Sequence, residues 1–316
     1  MKKPLIVFLV VLVFIIIALY SFIPNKLEVS KTIYLNVSKD VVYRHLSEET
    51  RRKKWWPKET AIENKTVVTN PEDTILDIRY NVTHQSMNAI EILILVGERK
   101  FTSTLNILPL KKDSTALHWK CFIETGYNPF RKINFYQKAK RIKQDMTEIL
   151  SSLQSFLAKE ENQYNIPIER AIVTDTLLVS TKVSLDHYPS TSEVYNLIGS
   201  LKKYISVQGV KETNYPMLHV IKVDSNQFET RIAIPVNKEV QNNGKFELKR
   251  MIPGNIVITK VEGGPHNIKN AFAEMEFYLN ANQLASPAIP FESLVTDRLK
   301  EPDTTKWVTR IYYPVY

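Results

Sequence analysis

The chain has 316 residues, with 42 Lys and Arg against 33 Asp and Glu, a net charge of +9. Its 44 % hydrophobic and 24 % charged content is that of a globular chain, and its length suggests two domains behind an apolar leader. The one cysteine, Cys121, excludes an intramolecular disulfide, a cysteine-based zinc site and a CxxC redox site.

Residues 5–23, LIVFLVVLVFIIIALYSFI, hold no charge, Gly or Pro and are bracketed by Pro4 and Pro24. As a helix they would be roughly 29 Å long, which matches a hydrocarbon core of about 30 Å. The reading is a single-pass transmembrane anchor over 1–24. A cleaved signal peptide is the rival. Its apolar core runs about 7–15 residues and ends in a small-x-small site, which Ala18-Leu19-Tyr20 does not provide. A buried core helix is the third reading. Lys2 and Lys3 place the N-terminus in the cytoplasm and the remainder outside it, periplasmic or extracellular, although Lys26, Lys31, Lys39 and Arg44 lie close on the other side.

The charge excess is confined to the first half. Residues 1–157 carry 24 Lys and Arg against 15 Asp and Glu, and residues 158–316 carry 18 of each. Arg51-Arg52-Lys53-Lys54 and Lys138/Lys140/Arg141/Lys143 are the densest parts. They suit an anionic lipid surface or an acidic ligand, or are solvated faces. No nucleic-acid-binding motif accompanies them.

From Leu27 the chain alternates as a strand, and Ser38 then caps a helix with Val41, Val42, His45 and Leu46 inward. Trp55-Trp56-Pro57 follows. Strand-like runs come next at Thr60–Val68, Thr74–Val82, Met87–Val96, Lys100–Leu108 and Thr115–Glu124. A long helix from about Phe130 to Lys159 keeps Phe135, Ala139, Ile142, Met146, Ile149, Leu153 and Phe156 at three/four spacing. This order over residues 25–158, with the stretch from Ile33 to Leu46 and the Trp-Pro, resembles the START-like, polyketide-cyclase-like (SRPBCC) superfamily. The resemblance implies a curved antiparallel sheet wrapped on the long helix around a cavity for apolar ligands. Trp119 and Tyr127 are candidate cavity residues, as are Trp55 and Trp56. His45, His84 and His118 show no metal spacing.

Residues 159–165 are polar and read as a linker. From 166 to 316 the chain repeats itself. Thr230-Arg231-Ile232-Ala-Ile-Pro235-Val236 returns 79 residues later as Thr309-Arg310-Ile311-Tyr-Tyr-Pro314-Val315, and Thr181-Lys182-Val183 returns 78 residues later as Thr259-Lys260-Val261. Each unit reads as tandem strands (Glu169–Leu185; Phe246–Val261), a helix near a Pro (Pro189–Ser206; Pro265–Asn282) and a final strand pair (Leu218–Val236; Ser293–Val315). Joined side by side, two such units give one antiparallel sheet with paired helices and a cleft at the pseudo-twofold, so the fold class is α+β.

On these residues, and above all on Trp307-Val-Thr-Arg-Ile-Tyr-Tyr-Pro-Val, the second half resembles the gyrase-inhibitor-like small-molecule-binding domain, the effector-binding domain of bacterial transcription activators. The resemblance implies a cleft lined by aromatics and an acid placed just before the Ile of the terminal strand. Arg310 stands there, and Arg231 in the first repeat. Glu229 is the nearest substitute acid or a partner of Arg231. Trp307, Arg310, Tyr312, Glu229 and Arg231 are the candidate ligand residues of this half. Gly263-Gly264-Pro265 lacks the spacing of a phosphate loop, and His187, His219 and His266 lack ligand spacing.

The leading expectation is a non-enzymatic, membrane-anchored binding protein for hydrophobic or amphipathic small molecules. The alternatives are a hydrolase of reactive xenobiotics using the second cleft, and an interaction module with filled cavities. No catalytic residue, metal or cofactor is expected, and the absence of a helix-turn-helix disfavours a transcription regulator.

Overall fold

The structure is a computed structural model, and it describes Phe8, Val11, 23–56 and 78–316. The apolar run 5–23 lies outside these residues except for Phe8, Val11 and Ile23, and so does the strand expected at Thr60–Val68. No helix among the described residues is long and apolar enough to cross a membrane. The chain divides into two compact units, Met1–Lys159 and Glu160–Tyr316.

The first unit is an antiparallel sheet against one long helix. β1 (Lys26–Leu35) is followed by the short helices α1 (Lys39–Ser47) and α2 (Glu49–Arg52). A meander then runs through β2 (Ile78–Ser86), β3 (Ala89–Val96), β4 (Arg99–Lys111) and β5 (Ser114–Glu124), and α3 (Pro129–Leu157) closes the unit. The sheet order is β1-β5-β4-β3-β2. Asn128 starts α3 by accepting from the Phe130 and Arg131 amides at 3.0 and 3.2 Å, with Pro129 at the first helical position. The inward stripe of α3 carries Phe135, Ala139, Ile142, Met146, Ile149 and Leu153. It also carries a buried carboxylate, Asp145, which accepts from the Tyr80 hydroxyl at 3.0 Å and pairs with Arg141 at 3.2 Å.

The basic cluster at 51–54 is not one solvated face. Arg51 and Arg52 are buried. Arg52 donates to the carbonyls of Leu46 and Ser47 at 2.7 and 2.8 Å, satisfying the open end of α1, and Arg51 pairs with Glu48 at 2.6 Å. Lys53 and Lys54 remain on the surface, Lys53 paired with Glu49.

The second unit opens with a short helix, α4 (Glu160–Tyr164), where a plain linker was expected. The cause is Tyr164, which is buried with its ring edge-on to Tyr278 at 4.9 Å and accepts from Asn282 at 3.0 Å. Two equivalent halves follow. The first is β6 (Glu169–Ile172), β7 (Leu177–Leu185), α5 (Thr191–Val207), β8 (Met217–Asp224) and β9 (Gln227–Pro235). The second is β10 (Glu247–Arg250), β11 (Asn255–Glu262), α6 (Pro265–Ala281), β12 (Phe291–Leu294) and β13 (Val308–Val315). The eight strands order as β10-β7-β9-β8-β12-β13-β11-β6. Read from either edge, the order names the same elements of alternate halves, and each half lends its first strand to the other. The halves meet where Glu292 and Ser293 of β12 pair with Leu218 and Met217 of β8.

Strand alternation sorts the side chains onto two faces. Val179, Leu218, Ile232 and Ile234 pack against Val194, Ile198, Leu201 and Ile205 of α5. The opposite face has its own smaller core of Leu178, Met217, Ile256, Ile258 and Phe291.

The repeated motif therefore has one structural residue and one surface residue at adjacent positions. Ile232 and Ile311 are fully buried, whereas Arg310 is exposed. Replacing either isoleucine by Ala is expected to destabilise the second unit by about 2–5 kcal/mol, and Arg310→Ala by less than about 0.5 kcal/mol. Urea unfolding of the three variants checks this, and a loss at Arg310 matching that at Ile311 would contradict the assigned faces.

Candidate functional site

Two helices on one face of an eight-stranded sheet cannot cover its centre. Between α5 and α6, over the β8–β12 seam, lies a cleft of about 720 Å³, within the usual range for small-molecule sites of about 300–1,000 Å³. Its walls are apolar and aromatic: Tyr188, Val194, Ile268, Phe272, Trp307 and Tyr313. Two carboxylates reach it, Glu292 from β12 and Glu276 from α6.

These carboxylates have different surroundings. Glu292 is buried and pairs with Arg298 at 2.8 Å. The same Arg298 nitrogen donates to the Thr309 hydroxyl at 2.9 Å, and the guanidinium carbon lies 4.8 Å from the centre of the Trp307 ring. Tyr195 fixes this loop: its hydroxyl accepts from the Arg298 amide at 2.7 Å and donates to the Thr296 carbonyl at 3.1 Å. The charge of Glu292 is thus matched from within the chain. Among the described residues Glu276 accepts one long bond, 3.4 Å, from the Tyr313 hydroxyl. Burial, with the Glu276 charge beside it, pushes the Tyr313 phenol far above its ordinary range, so it stays protonated and can donate. One end of the cleft is electrostatically closed, and the other presents a carboxylate backed by a tyrosine.

The cleft mouth is set by local chemistry at the start of α5. Ser190 and Glu193 form a capping box: the Ser190 hydroxyl accepts from the Glu193 amide at 3.3 Å, and the Glu193 carboxylate accepts from the Ser190 amide at 2.8 Å. His187 bridges Asp186 at 2.6 Å and Glu193 at 3.0 Å.

The residues singled out from the sequence fall in several places. Trp307 is in the cleft wall, with its indole N–H donating to the Glu301 carbonyl at 2.9 Å. Arg310 and Tyr312 are on the other face of the sheet, because Thr309, Ile311 and Tyr313 are the members of β13 that turn toward the helices. Tyr312 stacks on Phe291 there, with ring centres 4.9 Å apart. Glu229 pairs with Arg231 at 2.5 Å, also away from the cleft. Arg231 borders a second groove of about 510 Å³ on that face, floored by Met217, Ala233 and Phe291. Trp119 is fully buried in the first unit, donating to the Ser103 hydroxyl at 2.9 Å and packed edge-on against Trp56 and Tyr80. Tyr127 is exposed on the loop before α3. Glu276, Glu292, Arg298, Phe272 and Tyr313 complete the cleft. Of these, Glu276 carried a signal in the sequence, since it stands four residues after Phe272 on the same side of an apolar helix.

No protein-family model and no curated protein matches the chain. Among solved structures, the C-terminal domain of EcmrR is 16 % identical, with 48 % of this chain and 98 % of that one covered and a TM-score of 0.42. A hydrolase from Listeria innocua is 16 % identical over 51 % of this chain and 98 % of its own, with a TM-score of 0.36. SAV2435 bound to tetraphenylphosphonium is 14 % identical over 48 % and 94 %, with a TM-score of 0.33. Likenesses this distant carry no argument about activity, so the function is read from the cleft itself.

The two histidines bordering this region are expected to titrate in opposite directions. Hydrogen bonds to Asp186 and Glu193 raise His187 above 6.5, and burial, with the Arg231 charge nearby, lowers His219 below it. His187 is therefore bound more tightly when protonated; that contribution is present at low pH and is lost as pH rises through its raised value. An NMR titration with His187 midpoint above that of His219 is the expected result, and the reverse order would contradict the geometry.

Proposed function

We propose that the chain is a membrane-anchored binding protein for amphipathic small molecules, and that the cleft between α5 and α6 holds a flat or globular apolar body bearing a positive charge. The observation that carries this reading is the Glu276 carboxylate, set among Phe272, Tyr313 and the other aromatics of the cleft with no basic side chain paired to it among the described residues. Glu276 is exposed at the rim of the cleft, and a carboxylate placed beside aromatic faces attracts a diffuse cation both by charge and through the ring quadrupoles. Arg298 supports the same assignment by exclusion. It already occupies the Glu292–Trp307 end, so an incoming cation goes to the Glu276 end.

The element order supports reading the second unit as gyrase-inhibitor-like, with duplicated halves that exchange their first strands. The first unit, a strand, helices, a meander and a long closing helix, is read as START-like. Anchoring is supported by the nineteen uncharged residues at 5–23, and an extracytoplasmic position by Lys2 and Lys3 before them. The hydrolase alternative now has its acid at Glu276 or Glu292, where Glu229 was expected. It requires a substrate whose turnover, but not whose binding, is lost in Glu276→Gln.

Tetraphenylphosphonium and the neutral triphenylphosphine oxide are suitable paired probes. Isothermal titration of the full chain is expected to give saturable binding of the cation, weakened about tenfold or more in Glu276→Gln, a loss of about 1.4 kcal/mol. The neutral probe is expected to bind both forms alike. Equal losses for the two probes, or no binding of the cation, would contradict the reading.

A further inference from the structure

The long helix of the first unit has two apolar stripes, and only one is covered. Phe130, Ile133 and Tyr136 follow one another at three-residue spacing, which keeps them along one side of α3. They are 82 %, 38 % and 51 % exposed, and Tyr127, just before the helix, is 77 % exposed. Single apolar residues on a surface need no explanation, but four clustered at one end of a helix mark a contact surface. Lys140, also exposed, continues the same side one turn further on.

A second observation indicates what covers this surface. The same end of α3 holds the point where the apolar run 5–23 leaves off. The buried Lys132 ammonium donates to the Ile23 carbonyl at 2.7 Å, and the Thr125 hydroxyl donates to the Pro24 carbonyl at 3.0 Å. The Thr125 amide donates to the Asn25 carbonyl at 2.9 Å. The exposed aromatics therefore stand at the end of α3 that also holds the last residue of a segment with the length and composition of a membrane span.

We propose that this side of α3 lies in the headgroup layer of the bilayer that residues 5–23 cross, an inference that rests on the anchor reading above. Phe130 and Ile133 enter the acyl boundary, Tyr127 and Tyr136 sit with their rings apolar-side down and hydroxyls in the headgroups, and Lys140 meets anionic phosphate. Tyrosine is enriched at that depth because its body is apolar and its tip polar, and a lysine near an anionic surface adds attraction. The dimensions agree. Phe130 to Tyr136 spans about 9 Å along the helix, and the interfacial layer on each side of a bilayer is about 5–7 Å thick, so a helix lying oblique to the membrane keeps the whole stripe within reach.

The test places a nitroxide label at Phe130→Cys in the full chain carrying Cys121→Ser, reconstituted in phosphatidylcholine–phosphatidylglycerol vesicles. A control label at Met87→Cys occupies the exposed β2–β3 turn, level with the Ser114 end of β5 and so at the other end of the sheet. Flotation is measured first and relaxation by oxygen and by a water-soluble nickel chelate second. The expected result is a floating chain whose oxygen-to-nickel accessibility ratio is several-fold higher at 130 than at 87. A floating chain with both labels open to nickel overturns the proposal and leaves the anchor intact. A label at 130 shielded from both relaxants overturns it in favour of a second copy or another protein on this face. Failure to float overturns the anchor and this proposal together.

Discussion

The second unit depends on one seam. Besides the exchanged edge strands β6 and β10, its halves are joined at the centre of the sheet, where two residues of β12 pair with two of β8, extended by the Leu294 amide on the Pro216 carbonyl at 2.9 Å and by His219 on the Pro290 carbonyl at 2.8 Å. Because the seam continues the sheet, both helices fall on the same face, each packed on its own half. The cleft is what remains when two identical coverings meet over one sheet, and the seam strands supply its floor.

That origin explains why the charges in the cleft are asymmetric although the backbone is nearly symmetric. Glu292 comes from a seam strand and is deep enough to require a partner, since an unpaired charge at that depth is strongly destabilising. Arg298 supplies one from the loop that follows, steadied by Thr309, Trp307 and Tyr195. Glu276 comes from a helix at the cleft wall, is exposed at the rim, and accepts from the Tyr313 hydroxyl. The first carboxylate is part of the structure; the second is the one a ligand can use.

The repeat was legible in the sequence because both copies keep, at fixed offsets, the Thr, Ile and Val positions that the sheet buries, with the exposed Arg between the first two. The helices were legible from their apolar spacing, and their observed ends lie within about two residues of those expected. The face of the terminal strand was not legible. A strand with Thr309, Ile311 and Tyr313 on one side and Arg310, Tyr312 and Pro314 on the other offers two plausible ligand faces, and only the position of the helices decides between them. Glu292 and Arg298 escaped for a related reason: six residues apart across a loop, they show no periodicity, and their pairing exists only in three dimensions. In the first unit, Arg51 and Arg52 read as surface charge because composition does not reveal that a guanidinium is closing a helix end.

The central claim is that a cationic ligand enters the cleft at its Glu276 end. A crystal structure of the chain with tetraphenylphosphonium tests this most directly. The account predicts the phosphonium between α5 and α6, within about 6 Å of the Phe272 or Tyr313 ring and beside the Glu276 carboxylate. A probe seated instead on the opposite face of the sheet, against Met217 and Phe291, or bound in the first unit, would contradict it.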